Sequence, residues 1–155
     1  WELHLQGSGG PYKTRLQELV RELRIAPHVR FDSPIPSVGM PGYYRRLDVL
    51  VLPSLTRPNW KEQFGRALIE AMAREVAVIG SSCGEIPNVI GDAGLVFPEG
   101  DADALRANLV LLRDHPLQRA DLGRRGRARV LAKFTQARIA QETYAVYREL
   151  MLDKI

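Results

Sequence analysis

The chain has 155 residues, of which 45% are hydrophobic, 26% are charged and 7% are aromatic, and its formal net charge is +4. These values are typical of one folded globular domain and exclude intrinsic disorder, collagen-like repeats and a disulfide-dependent scaffold, because Cys83 is the single cysteine. No apolar run approaches the roughly 18–20 residues of a membrane span, so we predict a cytoplasmic protein, which in its full-length form can be peripheral to a membrane.

Strand-like and helix-like segments alternate along the sequence. Short apolar stretches predict five strands, at residues 1–5, 29–31, 49–52, 76–79 and 95–97. Apolar residues at helical spacing predict helices at 16–23, 40–47 and 65–72, and a further helix that Asp101 caps, with Leu105, Leu109 and Leu112 on its inward face. From Pro116 onward the sequence is predicted to be helical, with a break near Phe134-Thr135.

This alternation predicts an α/β fold, in which a Rossmann-like parallel sheet has helices on both faces and the chain ends in long helices. The run 49–52 is apolar throughout, which is typical of a strand buried on both faces of such a sheet. Ligands bind these sheets beyond the carboxyl ends of the strands, so we expect a site in the loops that follow the strands.

The first such loop, Gly7–Gly10, is rich in glycine but departs from a phosphate-binding pattern. Tyr12 stands where a dinucleotide-binding fingerprint would have its third glycine, and no acidic residue follows at the required distance. We therefore interpret this loop as a strand-to-helix turn.

The loop that follows residues 49–52 contains more candidate ligand-binding residues than the first loop. Gly65 stands where the next helix should begin, so the amides of residues 64–66 are predicted to form an anion site at the helix N-terminus. Glu62 lies just before this helix and Glu70 lies inside it, and carboxylates accept paired hydrogen bonds from sugar hydroxyls. The alternative is that Glu62 only favours the helix dipole and that Glu70 is a solvated surface residue.

A second glycine-containing turn, Gly80–Gly91, follows the next predicted strand. Gly84 can adopt a positive φ angle in this turn, and successive amides there could cradle an anion. The alternative is an ordinary strand-to-helix connection in which Pro87 is the first helical residue.

Several motifs in this part of the chain resemble the family-4 glycosyltransferases of GT-B fold. Glu62 and Glu70, within Glu-Gln-Phe-Gly-Arg-Ala-Leu-Ile-Glu, are similar to the E-x7-E signature of that family. Residues 48–54 lie before this signature, and residues 84–87 and 91–98 follow it in the family's order. The resemblance covers nearly the whole chain and implies the C-terminal, donor-binding half of a GT-B enzyme.

The resemblance implies a nucleotide-sugar donor linked to UDP, GDP or ADP, whose sugar the full-length enzyme transfers with retention of configuration and without a metal or other cofactor. It implies that Glu62 contacts the donor sugar as the catalytic residue and that Glu70 holds the ribose hydroxyls. Donor-binding roles are also implied for Gln63, Phe64, Gly65 and Arg66, whose amides would meet the sugar and diphosphate, and for Gly84 and Glu85 near the nucleotide. The alternative is a nucleotide-binding module of the same fold that does not catalyse transfer.

The sequence departs from the family's pattern at its start. The family's donor-binding domain begins with a further strand, a helix, a Gly-Arg turn and a Lys-Gly pair, and an acceptor-binding N-terminal domain precedes it. We therefore predict that residues 1–155 are a nucleotide-sugar-binding domain without these parts, inactive until the missing N-terminal domain is restored.

The last predicted helix has an apolar side, which predicts self-association through an exposed face. The residues of this side are Ile139, Tyr144, Tyr147, Leu150 and Met151.

Three other features receive structural interpretations. The basic stretch from Arg119 to Lys133 spreads around its helix without interleaved aromatic residues, so a solvated face is favoured over nucleic-acid binding. Cys83 has no candidate base nearby in the sequence and is interpreted as a small buried thiol. The three histidines lack the spacing of metal ligands.

Overall fold

A computed structural model describes residues 1–152, and the chain divides into two compact units, Trp1–Met40 and Pro41–Ile155. The first unit contains strand β1 (Leu3–Gln6), helix α1 (Pro11–Glu22) and strand β2 (Val29–Asp32). The two strands are parallel and pair from Leu3 with Val29 to Gln6 with Asp32. Pro11 begins α1, where its fixed φ angle suits the first helical turn and its missing N–H costs no hydrogen bond.

The second unit alternates strands and helices and then ends in helices. Its elements are α2 (Met40–Tyr44), which starts at the boundary between the units, β3 (Val49–Leu52), α3 (Arg66–Met72), β4 (Ala77–Ser81), α4 (Ile86–Ile90), β5 (Leu95–Phe97), α5 (Ala102–Asp114), α6 (Pro116–Lys133) and α7 (Gln136–Leu152). The three strands form a parallel sheet in the order β3-β4-β5. All five predicted strands are therefore present and all pair in parallel, but within residues 1–152 they form two sheets, one of two strands and one of three.

The core of the second unit surrounds β4, whose five residues are all buried. Leu68 and Met72 of α3 and Ile86 and Ile90 of α4 are fully buried as well. Glycine lets α6 approach this core closely, because a Cβ atom added at Gly123 would overlap the carbonyl oxygen of Glu75. The core thus fixes the ends of β3 and β4, where the loops that follow these strands begin.

Several sequence-based details differ from the structure. The predicted helix 40–47 ends at Tyr44, because the amides of Arg46 and Leu47 bond back only three residues, to Tyr43 and Tyr44, and so tighten the chain into a turn. Strand β3 is half-buried rather than buried on both faces, since it lies at the edge of its sheet and, among residues 1–152, pairs only with β4. Leu109 is 40% exposed, because it lies about 60° around the α5 axis from the buried Leu112.

The basic residues of α6 make more internal contacts than a solvated face would. Arg129 donates to the carbonyl oxygens of Val89 and Asn88 at 2.8 and 2.6 Å, at the end of α4. Arg125 forms an ion pair with Asp92 at 2.9 Å. These side chains hold α6 against the rest of the unit.

The predicted apolar side of the last helix lies on α7 and is exposed in the described part of the chain. Ile139 is 40% exposed, and Tyr144 and Met151 are each 65% exposed. Self-association through this side stays a prediction. Among residues 1–152, no helix is long and apolar enough to cross a bilayer.

Asp101 caps the N-terminus of α5, as predicted. An Asp101 carboxylate oxygen accepts a hydrogen bond of 2.8 Å from the amide of Ala104, which would otherwise have no partner in the first turn. We expect Asp101→Ala to lower the free energy of unfolding by about 1 kcal/mol, measured by urea denaturation. Asp101→Asn keeps a side-chain acceptor at this position and should lower the free energy of unfolding by only a few tenths of a kcal/mol. Equal losses in both variants would contradict the capping role.

Candidate functional site

The site is built on the loop of residues 53–65, which joins β3 to α3. The hydroxyl of the buried Ser81, at the end of β4, donates to the carbonyl oxygen of Ser54 at 2.6 Å and fixes the start of the loop. The Glu85 amide donates to the carbonyl oxygen of Glu62 at 3.1 Å and fixes the end. Backbone bonds to the following strand and turn therefore place Glu62.

Gly84 makes this second bond possible. Its φ angle is +57°, and a Cβ atom added there would overlap the carbonyl oxygen of Glu62. Glycine alone combines this left-handed conformation with so close an approach of two backbones. The positive φ angle predicted for Gly84 is confirmed, and its immediate neighbour is the Glu62 backbone.

The side chain of Glu62 turns back toward the start of α3. One carboxylate oxygen accepts from the Gly65 amide at 3.0 Å and, more weakly, from the Phe64 amide at 3.5 Å. The other oxygen accepts from the Ser54 hydroxyl at 3.4 Å. Gly65 has the predicted place, directly before α3, with a φ angle of +66°. Two of the amides expected to face an anion therefore already bond to a carboxylate of the chain itself.

Glu70 lies on α3 with both carboxylate oxygens bonded. The Tyr44 hydroxyl donates to one at 2.9 Å, and the Nε atom of Arg66 donates to the other at 2.8 Å. Tyr44 is 3% exposed. Burial raises the pKa of the Tyr44 hydroxyl well above its usual range, and the bond to Glu70 raises it further. Glu70 therefore accepts a hydrogen bond from a buried donor. The alternative interpretation, in which Glu70 is only a solvated helix residue, does not account for this bond.

An open cleft of about 850 Å³ lies beside the loop. It is lined by residues 56–63 and by Glu85, so it brings together three predicted site residues, Glu62, Gln63 and Glu85. Glu70 and Gly65 are outside this lining. Arg57 and Trp60 exchange two backbone hydrogen bonds at 2.8 and 3.2 Å and form a tight turn along the cleft.

Other side chains secure the loop from outside the cleft. The Thr56 amide and hydroxyl donate to the Glu99 carboxylate at 2.6 and 3.0 Å, and these bonds hold the pKa of that carboxyl below its usual range. The Phe64 ring packs edge-on against Phe134, with 6.0 Å between the ring centroids. Cys83 is fully buried, which confirms the interpretation of its thiol as buried.

Sequence reasoning missed Tyr44 and Glu99 as parts of this site. Each acts through a contact with a distant residue, Glu70 in one case and Thr56 in the other, and neither stands in a recognisable motif. The glutamate pair and the glycines could be recognised from the sequence because they lie close together in short motifs. Within residues 1–152, no three His, Cys, Asp or Glu side chains are grouped as metal ligands would be.

Comparisons with known proteins bear on this arrangement. The family described as "Glycosyl transferases group 1" matches residues 1–129 of the chain. Among curated proteins, the chain is 29% identical over 158 residues to D-inositol 3-phosphate glycosyltransferase of Kineococcus radiotolerans, an alignment that covers 96% of this chain and 35% of that protein. The chain therefore spans about a third of that relative's length.

Two solved structures are similar in fold. Sucrose-phosphate synthase from Thermosynechococcus elongatus has a TM-score of 0.84 and 31% identity, over 98% of this chain and 39% of that one. Anabaena Alr3699/HepE in complex with UDP-glucose has a TM-score of 0.83 and 18% identity, over 96% of this chain and 41% of that one. The second likeness is one of fold alone.

Proposed function

The chain belongs to the group 1 glycosyltransferases, and on that premise we propose that it binds a nucleotide-sugar donor. The complete protein then transfers the sugar to an acceptor with retention of configuration and without a metal. The donor sugar is linked to UDP, GDP or ADP, and the protein works in the cytoplasm. A protein of this fold, Anabaena Alr3699/HepE, has been crystallised with UDP-glucose, which supports a donor of this class.

The observation that carries the proposal is the fixed Glu62 carboxylate at the wall of the cleft. Its backbone is tied to the Gly84-Glu85 turn, and its side chain is bonded to the start of α3. A carboxylate has about four acceptor positions, and the donors from Ser54, Phe64 and Gly65 use three of them, so the second oxygen of Glu62 can also accept a hydroxyl of the donor sugar. Such an acceptor needs no reorganisation when the donor arrives.

The remaining residues have complementary roles in this proposal. Glu70 accepts the ribose hydroxyls, and the amides of Gln63 and Arg66 with the Gly84-Glu85 turn face the sugar, diphosphate and nucleotide, while the Phe64 and Gly65 amides hold the Glu62 carboxylate. The bond between the sugar and the diphosphate breaks while the sugar carbon bonds to an acceptor hydroxyl oxygen, and the departing diphosphate takes the proton of that hydroxyl. Positioning of the donor and stabilisation of the departing diphosphate by fixed dipoles supply the catalysis, without a side-chain nucleophile.

The test is calorimetric titration of the complete protein that carries this sequence with UDP-, GDP- and ADP-sugars. We expect one of the three to bind and Glu70→Ala to weaken it about tenfold, since hydrogen bonds to a charged group are lost. Glu142→Ala is a matched control, because Glu142 accepts from Arg138 four residues earlier at 2.8 Å, as Glu70 does from Arg66. Equal affinities in the wild type and Glu70→Ala would contradict the ribose assignment.

A non-catalytic nucleotide-binding module is the second candidate. It is favoured by one observation, namely that the Phe64 and Gly65 amides are already bonded to Glu62 in this structure. Donor binding by the complete protein without sugar transfer to any acceptor would establish this candidate. Transfer of radiolabelled sugar would exclude it.

A further inference from the structure

Tyr44 is a buried residue whose hydroxyl donates a hydrogen bond to Glu70. It ends α2, is 3% exposed, and donates at 2.9 Å to a carboxylate oxygen of Glu70, which lies 26 residues further along the chain. The ring of Tyr44 also packs edge-on against Tyr43, with 6.3 Å between their centroids. A tyrosine enclosed in this way has few alternative rotamers, so its hydroxyl defines a fixed point for the group that it contacts.

The two donors to Glu70 differ in how firmly they hold it. Arg66 is on the same helix, and its side chain is 80% exposed, so its ion pair is solvated and easily exchanged. Tyr44 comes from another element and is shielded from water, where a hydrogen bond to a charged group is stronger. The buried hydroxyl therefore sets the orientation of the carboxylate, and the arginine adds little to it.

The bonding capacity of Glu70 leaves room for a ligand. An ionised carboxylate has about four acceptor positions on its two oxygens, and Tyr44 and Arg66 use one position on each. One position per oxygen remains, and the side chain is 34% exposed. Two neighbouring hydroxyls, such as those of a ribose, need that arrangement of one free acceptor position on each oxygen.

We propose that Tyr44 is a positioning residue, whose hydroxyl orients the Glu70 carboxylate so that its free acceptor positions receive the ribose hydroxyls of the donor. This inference rests on the proposed function, in which Glu70 binds the ribose. Tyr44 itself does not touch the donor and acts only through Glu70.

The test measures whether the Tyr44 hydroxyl and the ribose hydroxyls are energetically coupled. The probes are whichever of UDP, GDP and ADP binds the complete protein best, together with its 2′-deoxy and 2′,3′-dideoxy analogues. Dissociation constants are determined by calorimetry for the wild type and Tyr44→Phe. We expect the wild type to prefer the ribose form about tenfold or more over the dideoxy form, and Tyr44→Phe to reduce that preference about three- to tenfold.

This readout separates positioning from a general structural role. If Tyr44→Phe weakened the ribose and dideoxy forms by the same factor, or changed neither, the role of Tyr44 would be overturned. Glu70→Gln in the same experiment tests the proposed function independently. If the wild type and Glu70→Gln did not differ in their preference for ribose, the assignment of Glu70 would fail, and the inference about Tyr44 with it.

Tyr43→Phe is the matched control. It removes a hydroxyl from the neighbouring tyrosine, which is 5% exposed and lies on the same helix, but leaves the hydroxyl that bonds to Glu70. We expect its preference for ribose to equal that of the wild type. A reduction as large as that in Tyr44→Phe would assign the effect to packing of α2 and overturn the inference. Thermal unfolding of all variants confirms that the proteins compared are folded.

Discussion

Gly84→Ala is expected to lower the free energy of unfolding by about 2–5 kcal/mol and to abolish measurable nucleotide-sugar binding. A left-handed conformation costs a residue with a Cβ atom about 1–2 kcal/mol, and forcing an extra atom into a packed contact costs about 1–3 kcal/mol. The added atom would overlap the carbonyl oxygen of Glu62, so relief of the overlap has to move that residue. Urea denaturation and calorimetric titration measure the two effects.

Gly100→Ala separates backbone strain from the contact with Glu62. Gly100 has a φ angle of +82°, but a Cβ atom there would meet only a Leu55 side-chain atom at 4.0 Å. We therefore expect Gly100→Ala to lose about 1 kcal/mol of stability and to keep its affinity for the donor. If both variants lost the same stability and the same affinity, the overlap with the Glu62 carbonyl oxygen would not be the cause of the losses in Gly84→Ala.

Glu62→Gln is expected to lower kcat/KM for sugar transfer by the complete protein roughly 100-fold. The substitution keeps the length of the side chain and one acceptor oxygen for the Gly65 amide, so the start of α3 should be retained. It removes the negative charge and replaces the second oxygen, which has the acceptor position left for the donor sugar, by an amide donor. Steady-state kinetics, with thermal unfolding as the check of stability, measure the effect.

Glu99→Gln is the control for this prediction, because Glu99 anchors the same loop through Thr56 but lies outside the lining of the cleft. We expect its kcat/KM to fall no more than about threefold, the effect of one weakened hydrogen bond. A loss as large as that of Glu62→Gln would mean that both residues act by holding the loop. The catalytic assignment of Glu62 would then be wrong.

The sequence allowed the strands, the parallel pairing and the glutamate pair to be predicted, because each depends on local spacing. Alternation of apolar segments marked β3 and β4, and Gly65 and Asp101 marked the starts of their helices through backbone geometry and capping. The bond from Tyr44 to Glu70 could not be predicted in this way, since it joins residues 26 apart through a buried tertiary contact. The same holds for Gly84, whose conformation was predictable but whose close neighbour, the Glu62 carbonyl, was not.

The half-exposure of β3 shows where local spacing misleads. Four apolar residues in a row predict burial on both faces, but burial also depends on the place of a strand within its sheet. In the sheet β3-β4-β5, only β4 has a strand on each side, and only β4 is buried throughout. Hydropathy therefore distinguished strands from helices but did not distinguish the central strand from its neighbour.

The backbone bond between Glu85 and Glu62 has a consequence for which substitutions this protein can accumulate. A bond between two main chains does not depend on side-chain identity, so residue 85 can change while Glu62 keeps its place, provided that position 84 stays glycine. The segment 57–61 lies between two tethered points, Thr56 and Glu62, and its side chains line the cleft. The side chains that line the cleft in that short segment can therefore change, with the Glu62 carboxylate held in an unchanged position.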